Sequence, residues 1–264
     1  MIHKTAIIDS KAKISNNVSI GAYSIIGADV VIGEGSIIQS HVNIIGDTVI
    51  GKNNKIYSFS SIGNDPQDLK YKNEKTKIII GDNNKIREYV TVNPGTLGGG
   101  KVTTIGNNCL FMVHSHIAHD CKIGNNVILA NSVPIGGHAT IEDEVIIGGN
   151  SAVQQFTRVG KLSMIGGMCG VVKDVLPYSL VYGNRSILQG VNIIGLRRKN
   201  IPNNKINKVK EAFDFIFQNK HHMDNVNKLP NELSKEKIVK DIIDFLNNDK
   251  KRPICTPLSL DENN

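Results

Sequence analysis

ISNNVSIGAYSIIGADVVIGEGSIIQSHVNI, residues 14–44, puts an isoleucine at every sixth position: Ile14, Ile20, Ile26, Ile32, Ile38 and Ile44. The series runs back to Ile8 and Ile2 and forward through Ile50, Ile56 and Ile62. It resumes at Ile80, Ile86 and Val92 and, after a slip of one residue, continues from Ile105 through Phe111 and Ile117 to Val171. Six is neither the strand period of two nor the helix period of 3.6. A strict six-residue repeat marks a parallel β-helix, a solenoid with flat faces of short strands. Two residues before each repeat position stands a smaller residue, such as Ala12, Val18, Ser24, Cys121 or Ala139, on the same strand face and therefore also inward. Glycine often follows the repeat position (Gly21, Gly33, Gly51), and asparagine often comes two residues later (Asn17, Asn53, Asn83). Both are read as corner residues that accept positive φ. Three hexads then close a coil of about 18 residues, stacked at about 4.8 Å.

Composition narrows the functional classes. The chain has 264 residues, suited to one solenoid with a small appendage. Cys109, Cys121 and Cys169 fall on the small inward position and Cys255 stands alone, so no disulfide framework is expected. No apolar run of about 18 residues is present, and the repeat begins at residue 2. Those features predict a cytoplasmic protein with neither a membrane span nor a secretory signal. The net charge of +7 with pI about 9.1 suits an acidic protein or a phosphorylated substrate. Nucleic acid is not expected as a partner, because Trp is absent and no basic stripe is interleaved with aromatics.

Two segments interrupt the count. Residues 64–77 (NDPQDLKYKNEKTK) add twelve residues and leave the phase unchanged. Residues 94–101 (PGTLGGGK) accompany the slip, lack the spacing of a phosphate-binding loop, and read either as a tolerated insertion or as part of a functional face. After Asp174 the hexads fade. A helix is predicted over 205–219 with Ile206, Val209, Phe213, Ile216 and Phe217 on one face, and a second over 236–246. The expected division is a β-helix over 1–187 and a helical cap over 188–264, with a loosely ordered tail beyond Arg252.

The densest cluster of ionisable groups is HSHIAHDC, His114 to Cys121. Counting by eighteen stacks His119, Gly137 and Gln155 in one column, with His138 and Gln154 beside it. That column offers a base, a backbone donor at a residue without a side chain, and polar positioning groups. Asp120 next to His119 can set the imidazole tautomer. The competing reading makes these residues ordinary corners, with most force at His114 and His138, which occupy the asparagine-type position. A zinc site on His116, His119 and His138 is the metal alternative, as in β-helix carbonic anhydrases; it leaves loop 64–77 and the cap without a role. No metal and no cofactor is expected.

Several stretches carry a family likeness over almost the whole chain: QDLKY (67–71), IREYVTV (86–92), HIAHDC (116–121), IIGG (146–149), QF (155–156) and VNIIGLRRK (191–199). With these the chain closely resembles the UDP-N-acetylglucosamine O-acyltransferases, which open lipid A biosynthesis. The resemblance implies a mainly β fold: a left-handed parallel β-helix with a small C-terminal α-helical domain, in homotrimers with active sites between subunits. It implies that a 3-hydroxyacyl group passes from acyl carrier protein to the 3-hydroxyl of UDP-N-acetylglucosamine. His119 would be the general base, Asp120 its orienting partner, and the Gly137 N–H the oxyanion donor. Gln67, Asp68 and Lys70 would hold substrate from a neighbouring subunit. His116, His138 and Gln155 would position the sugar and diphosphate, and Asn192 and Arg198 would contact nucleotide and phosphate. Gly167 would leave room for a long acyl chain.

Gln154 departs from the family's common histidine, and Arg185 and Ile194 stand where some members have histidine and glutamate. They leave open a 3-amino acceptor, which would give an amide. The related N-acyltransferases carry an additional domain before the coil, and acetyl-CoA-dependent hexapeptide enzymes do not suit QDLKY and the cap. A non-catalytic scaffold would have no fixed acid–base cluster.

Overall fold

The fold, seen in a computed structural model that describes residues 1–248 and 252–260, is the solenoid that the count of six predicts. Among the described residues the strands form three sheets of nine, eight and ten members. The first face begins at Ile7–Ile8 and ends at Gly170–Val171; the second runs from Lys13–Ile14 to Arg158–Val159; the third begins at Ser19–Ile20. Most strands have two residues, and they pair in parallel at intervals of eighteen, as in Ile8 with Ile26 and Ile117 with Ile135. Ile20, Ile26, Ile32, Ile38, Ile44, Ile50, Ile56 and Ile62 are all buried, one above another. Each such side chain contributes about 1.5–3 kcal/mol by leaving water.

The corners separate two roles that the sequence reading had merged. The asparagine-type position does adopt left-handed backbone: Asn17, Asn53, Asn83 and Asn126 have φ of 57°, 54°, 60° and 56°. The glycine after the repeat residue does not at Gly21 or Gly33, although Gly63 has φ of 91°. It is required by the adjacent coil: a Cβ on Gly21 would lie 2.6 Å from the Gln39 carbonyl carbon, and one on Gly33 would lie 2.5 Å from that of Gly51. All four cysteines are free and buried.

Both interruptions leave the coil between the first and second faces. Lys77 pairs with Asp47 across the first and with Val102 across the second, so those coils run thirty and twenty-five residues. Past the regular coils, Ser179–Tyr182 joins the third sheet and Ile187–Val191 returns antiparallel to it. Five helices follow among the described residues: α1 (Ile193–Arg198), α2 (Asn203–Ile216), α3 (His222–Asn227), α4 (Asn231–Ser234) and α5 (Lys237–Asn248). α2 and α5 answer the two predicted helices, and Ile206, Val209, Phe213 and Ile216 are buried as their spacing required. Arg158 fixes α5 to the coil: it pairs with Asp174 at 2.8 Å, donates to the Phe245 carbonyl and lies over the Phe245 ring. Tyr178 donates to Asp241 from the coil side, and burial together with that carboxylate drives its phenol pKa upward.

The expected loose tail is corrected over 253–256. Asp174 N–H donates to Pro253 O, Cys255 N–H to Asp174 O, and Leu188 N–H to Thr256 O, so the segment is stitched onto the last coils. Residues 249–251 and 261–264 lie outside the described residues.

Candidate active site

The three edges of the coil differ, and the first edge, between the first and second faces, holds the candidate acid–base groups. Asp120, His138 and Phe156 are its left-handed corner residues, with φ of 60°, 61° and 64°. His119, one residue earlier, is not among the positive-φ residues, so corner geometry does not explain it. Its ring lies over the Cα of Gly137 in the coil above: a Cβ added there would sit 2.6 Å from Nε2 and 2.7 Å from Cε1. The eighteen-residue column is therefore physical contact. No carbonyl among the described residues accepts the amides of His119, Gly137 or Gln155, because the chain turns away from the ladder at this position. Only at 137 does the residue lack a side chain to shield that N–H.

His119 Nδ1 lies 2.8 Å from Asp120 Oδ2, and the Asp120 side chain is fully buried. An ionised carboxylate can only accept, so Nδ1 carries the proton and Nε2 presents its lone pair outward. Two further donors come from the Gly-rich interruption. Thr96 N–H reaches Asp120 Oδ1 at 2.9 Å, and the Thr96 hydroxyl reaches Oδ2 at 2.6 Å. Asp120 N–H in turn donates to Thr103 Oγ1 at 2.8 Å. Thr96 escaped the sequence reading because its partner lies twenty-four residues away, across the phase slip. The two interruptions also fasten to each other: Leu97 N–H donates to Glu74 Oε1 at 3.0 Å, and backbone donors from Leu97 and Lys72 lower the Glu74 pKa.

His138 meets His119 edge to face at 4.9 Å between centroids and stacks on Phe156 at 4.3 Å. Burial depresses its pKa, with Asp120 opposing; the charges of Asp68 and Lys70 also reach it. His116 projects from the first face with Nδ1 2.7 Å from Thr91 Oγ1, and burial, aided by His119, lowers its pKa too. Both are thereby held as neutral hydrogen-bonding groups near neutral pH. His119, Asp120 and His138 bring their ligand atoms within 4.8 Å of one another, whereas His116 is outside that set. A cation there would compete with His119 and Thr96 for the Asp120 oxygens, so these donors suit proton transfer better than metal binding.

Residues 11–46 and 103–137 match the bacterial transferase hexapeptide model, and residues 174–255 match the second domain of UDP-N-acetylglucosamine O-acyltransferase. The acyl-carrier-protein–UDP-N-acetylglucosamine O-acyltransferase of Rickettsia canadensis is 49% identical over 96% of this chain and 97% of its own. That of Aliarcobacter butzleri is 47% identical over 95% and 96%. The chain belongs to the UDP-N-acetylglucosamine O-acyltransferase family. The crystal structure of the Francisella novicida UDP-N-acetylglucosamine acyltransferase superposes with a TM-score of 0.93 at 37% identity, covering 99% of this chain and 97% of that one.

Not all the residues that the family likeness suggests come together in one chain. His116, His119, Asp120, Gly137, His138 and Gln155 gather at or beside the first edge. The loop bearing Gln67, Asp68 and Lys70 leaves the same edge of the same chain, so its charges reach His138 without a neighbouring subunit. Asn192 is elsewhere. It caps α1, accepting from Gly195 N–H, and donates to Leu162 O on the second edge, between the second and third faces. Lys199, next to Arg198, pairs with Glu144 on that same edge. Gly167 lies on the third edge, where a Cβ would meet Gly149 O at 3.2 Å. The departure at Gln154 meets a cation: Arg252 donates to Gln154 Oε1 and to Val172 O.

Proposed function

We propose that the protein transfers a 3-hydroxyacyl group from the thioester of acyl carrier protein to the 3-hydroxyl of UDP-N-acetylglucosamine, with His119 as general base. The observation that carries this reading is the His119 ring, buttressed by Asp120 on Nδ1 and lying over the bare Cα of Gly137 on its Nε2 side. Nε2 takes the hydroxyl proton as the sugar oxygen attacks the thioester carbonyl. The oxyanion forms beside the Gly137 N–H, which has no internal acceptor among the described residues. The C–S bond then breaks, and the imidazolium returns the proton to the departing thiolate. Asp120 stays ionised and steadies the imidazolium. Neutral His116 and His138, together with Gln155, position the sugar; Gln67, Asp68 and Lys70 hold it from the loop above the same edge.

Homotrimer assembly follows in the same reading. Asn192 and Arg198 serve nucleotide and phosphate, and Gly167 bounds the acyl chain, but they occupy other edges of the chain. A second copy set against the first edge brings its own second or third edge to His119, and three-fold closure repeats that contact. The +7 charge suits docking of an acidic carrier protein, and a cytoplasmic setting supplies both substrates. No helix of the described residues is long and apolar enough to cross a membrane.

The test incubates the pure protein with UDP-N-acetylglucosamine and a series of 3-hydroxyacyl carrier proteins, alongside His119→Ala. Acyl-sugar product that falls by roughly 10²–10⁴-fold in the variant is expected. An unimpaired variant, or no product at any chain length, overturns the proposal.

A further inference from the structure

The Gly-rich interruption 94–101 has no part in the reaction as written above, yet it supplies most of the contacts of the most buried charge in the site. Residues Leu97–Gly99 make one tight turn, closed by Gly99 N–H and Lys101 N–H on Thr96 O. The turn brings Thr96, itself buried, over Asp120. Its two donors divide between the carboxylate oxygens: the amide to Oδ1 and the hydroxyl to Oδ2, the oxygen that also holds His119 Nδ1. The glycines serve this approach. A Cβ on Gly99 would lie 2.0 Å from Asp120 Cγ; one on Gly95 would first strike the returning backbone, 2.1 Å from Val102 N, and would also lie 2.8 Å from Oδ1. Such contact between a loop and a carboxylate is possible only without side chains at 95 and 99.

We propose that Thr96 is a positioning residue that acts through Asp120; the inference rests on His119 as the base. A carboxylate held by one imidazole alone can rotate about its Cβ–Cγ bond, and the imidazole tilts with it. Donors at both oxygens remove that freedom, so the lone pair of Nε2 keeps one direction. The Thr96 hydroxyl also draws charge from Oδ2, which moderates the pull of Asp120 on a proton at His119. Without it the carboxylate binds the imidazolium more strongly, and the base is protonated at higher pH.

Thr96→Val keeps the shape and the amide and removes only the hydroxyl. The expected result is a kcat lower by roughly ten-fold, with KM for the sugar nucleotide within about two-fold of the parent. The acid limb of kcat/KM should move to higher pH by roughly half a unit. Thr96→Ser, which restores the hydroxyl, should recover most of kcat and the parent pH profile. Gly99→Ala, with Thr96 intact, displaces the carboxylate from outside and should lower kcat likewise, so it decides the matter if Thr96→Val does not fold. Unchanged kcat in Thr96→Val, or an acid limb that stays in place while Thr96→Ser is equally impaired, overturns the proposal. Either outcome beside an inactive His119→Ala leaves the base assignment standing; an active His119→Ala removes both.

Discussion

Two edges of this coil carry columns of rings at or beside the same corner position, and only one of them also carries a buried carboxylate. On the third edge Tyr23, His41, Phe59, Tyr89 and His114 form a ladder with centroids 4.9–5.2 Å apart. On the first edge His119, His138 and Phe156 form a shorter stack. Both columns contain histidine, and both use left-handed corners. The difference lies beneath the rings. Asp120 replaces a ring in the first-edge column, is buried, and is met by His119 from its own coil and Thr96 from the loop. The third-edge ladder has Tyr, Phe and His half-exposed on one another, with no carboxylate among those ring contacts. A histidine beside a corner has its tautomer fixed where a buried carboxylate meets it, as the proposed base requires; where only rings flank it, it is packing.

That contrast can be broken most forcefully at its carboxylate. Asp120→Asn keeps the shape but can present an amide N–H to Nδ1, which reverses the tautomer; kcat should fall by roughly 10³-fold while the melting temperature changes little. Gly137→Ala attacks the same edge from above. Its Cβ would stand 2.6 Å from Nε2, so the ring must turn away, and a loss of roughly 10²-fold in kcat is expected, with parent-like circular dichroism. Phe59→Ala should have the opposite character. Flanked by His41 and Tyr89 at 5.1 Å each, it should cost about 1–3 kcal/mol of stability, read as a lower melting temperature, with kcat unchanged. A loss of activity there comparable to that of Gly137→Ala would erase the distinction between the edges.

The smallest effect expected is with pH. The folded pKa of His116 is depressed, so the unfolded chain binds its proton first. The stability from keeping His116 neutral is complete above the ordinary histidine value near 6.5 and declines as pH falls through the depressed value. His116→Gln should therefore flatten the fall in melting temperature between about pH 7 and pH 5. An identical slope in the variant would remove His116 as its source.

The solenoid was legible because its signal is local and redundant. Ile20, Ile38 and Ile56 each repeat the same instruction, and burying one aligns the rest. The column of His119, Gly137 and Gln155 was legible for the same reason, since a fixed coil length turns sequence separation into height. Thr96 and Glu74 were hidden because insertions suspend that ruler, and a loop's return path depends on contacts that it makes only after leaving the coil. The two breaks did hold a usable clue: each follows a first-face strand, Ser61–Ile62 or Thr91–Val92, and so each leaves the edge where His119 stands. The tail at 253–256 was missed because its bonds run through the backbone, to Asp174 and Leu188, which composition does not record.

By itself, the sequence determined the coil, its height per residue and the one edge on which a histidine, an aspartate and a glycine coincide. A side chain that must be buried every sixth residue permits one winding period and no other. Tertiary structure alone decided which loop holds the carboxylate of Asp120, and that Asn192 and Gly167 lie on other edges. Those outcomes depend on where ejected segments return and on which face of the coil they cover. They are long-range contacts of a few residues each, with no period to announce them.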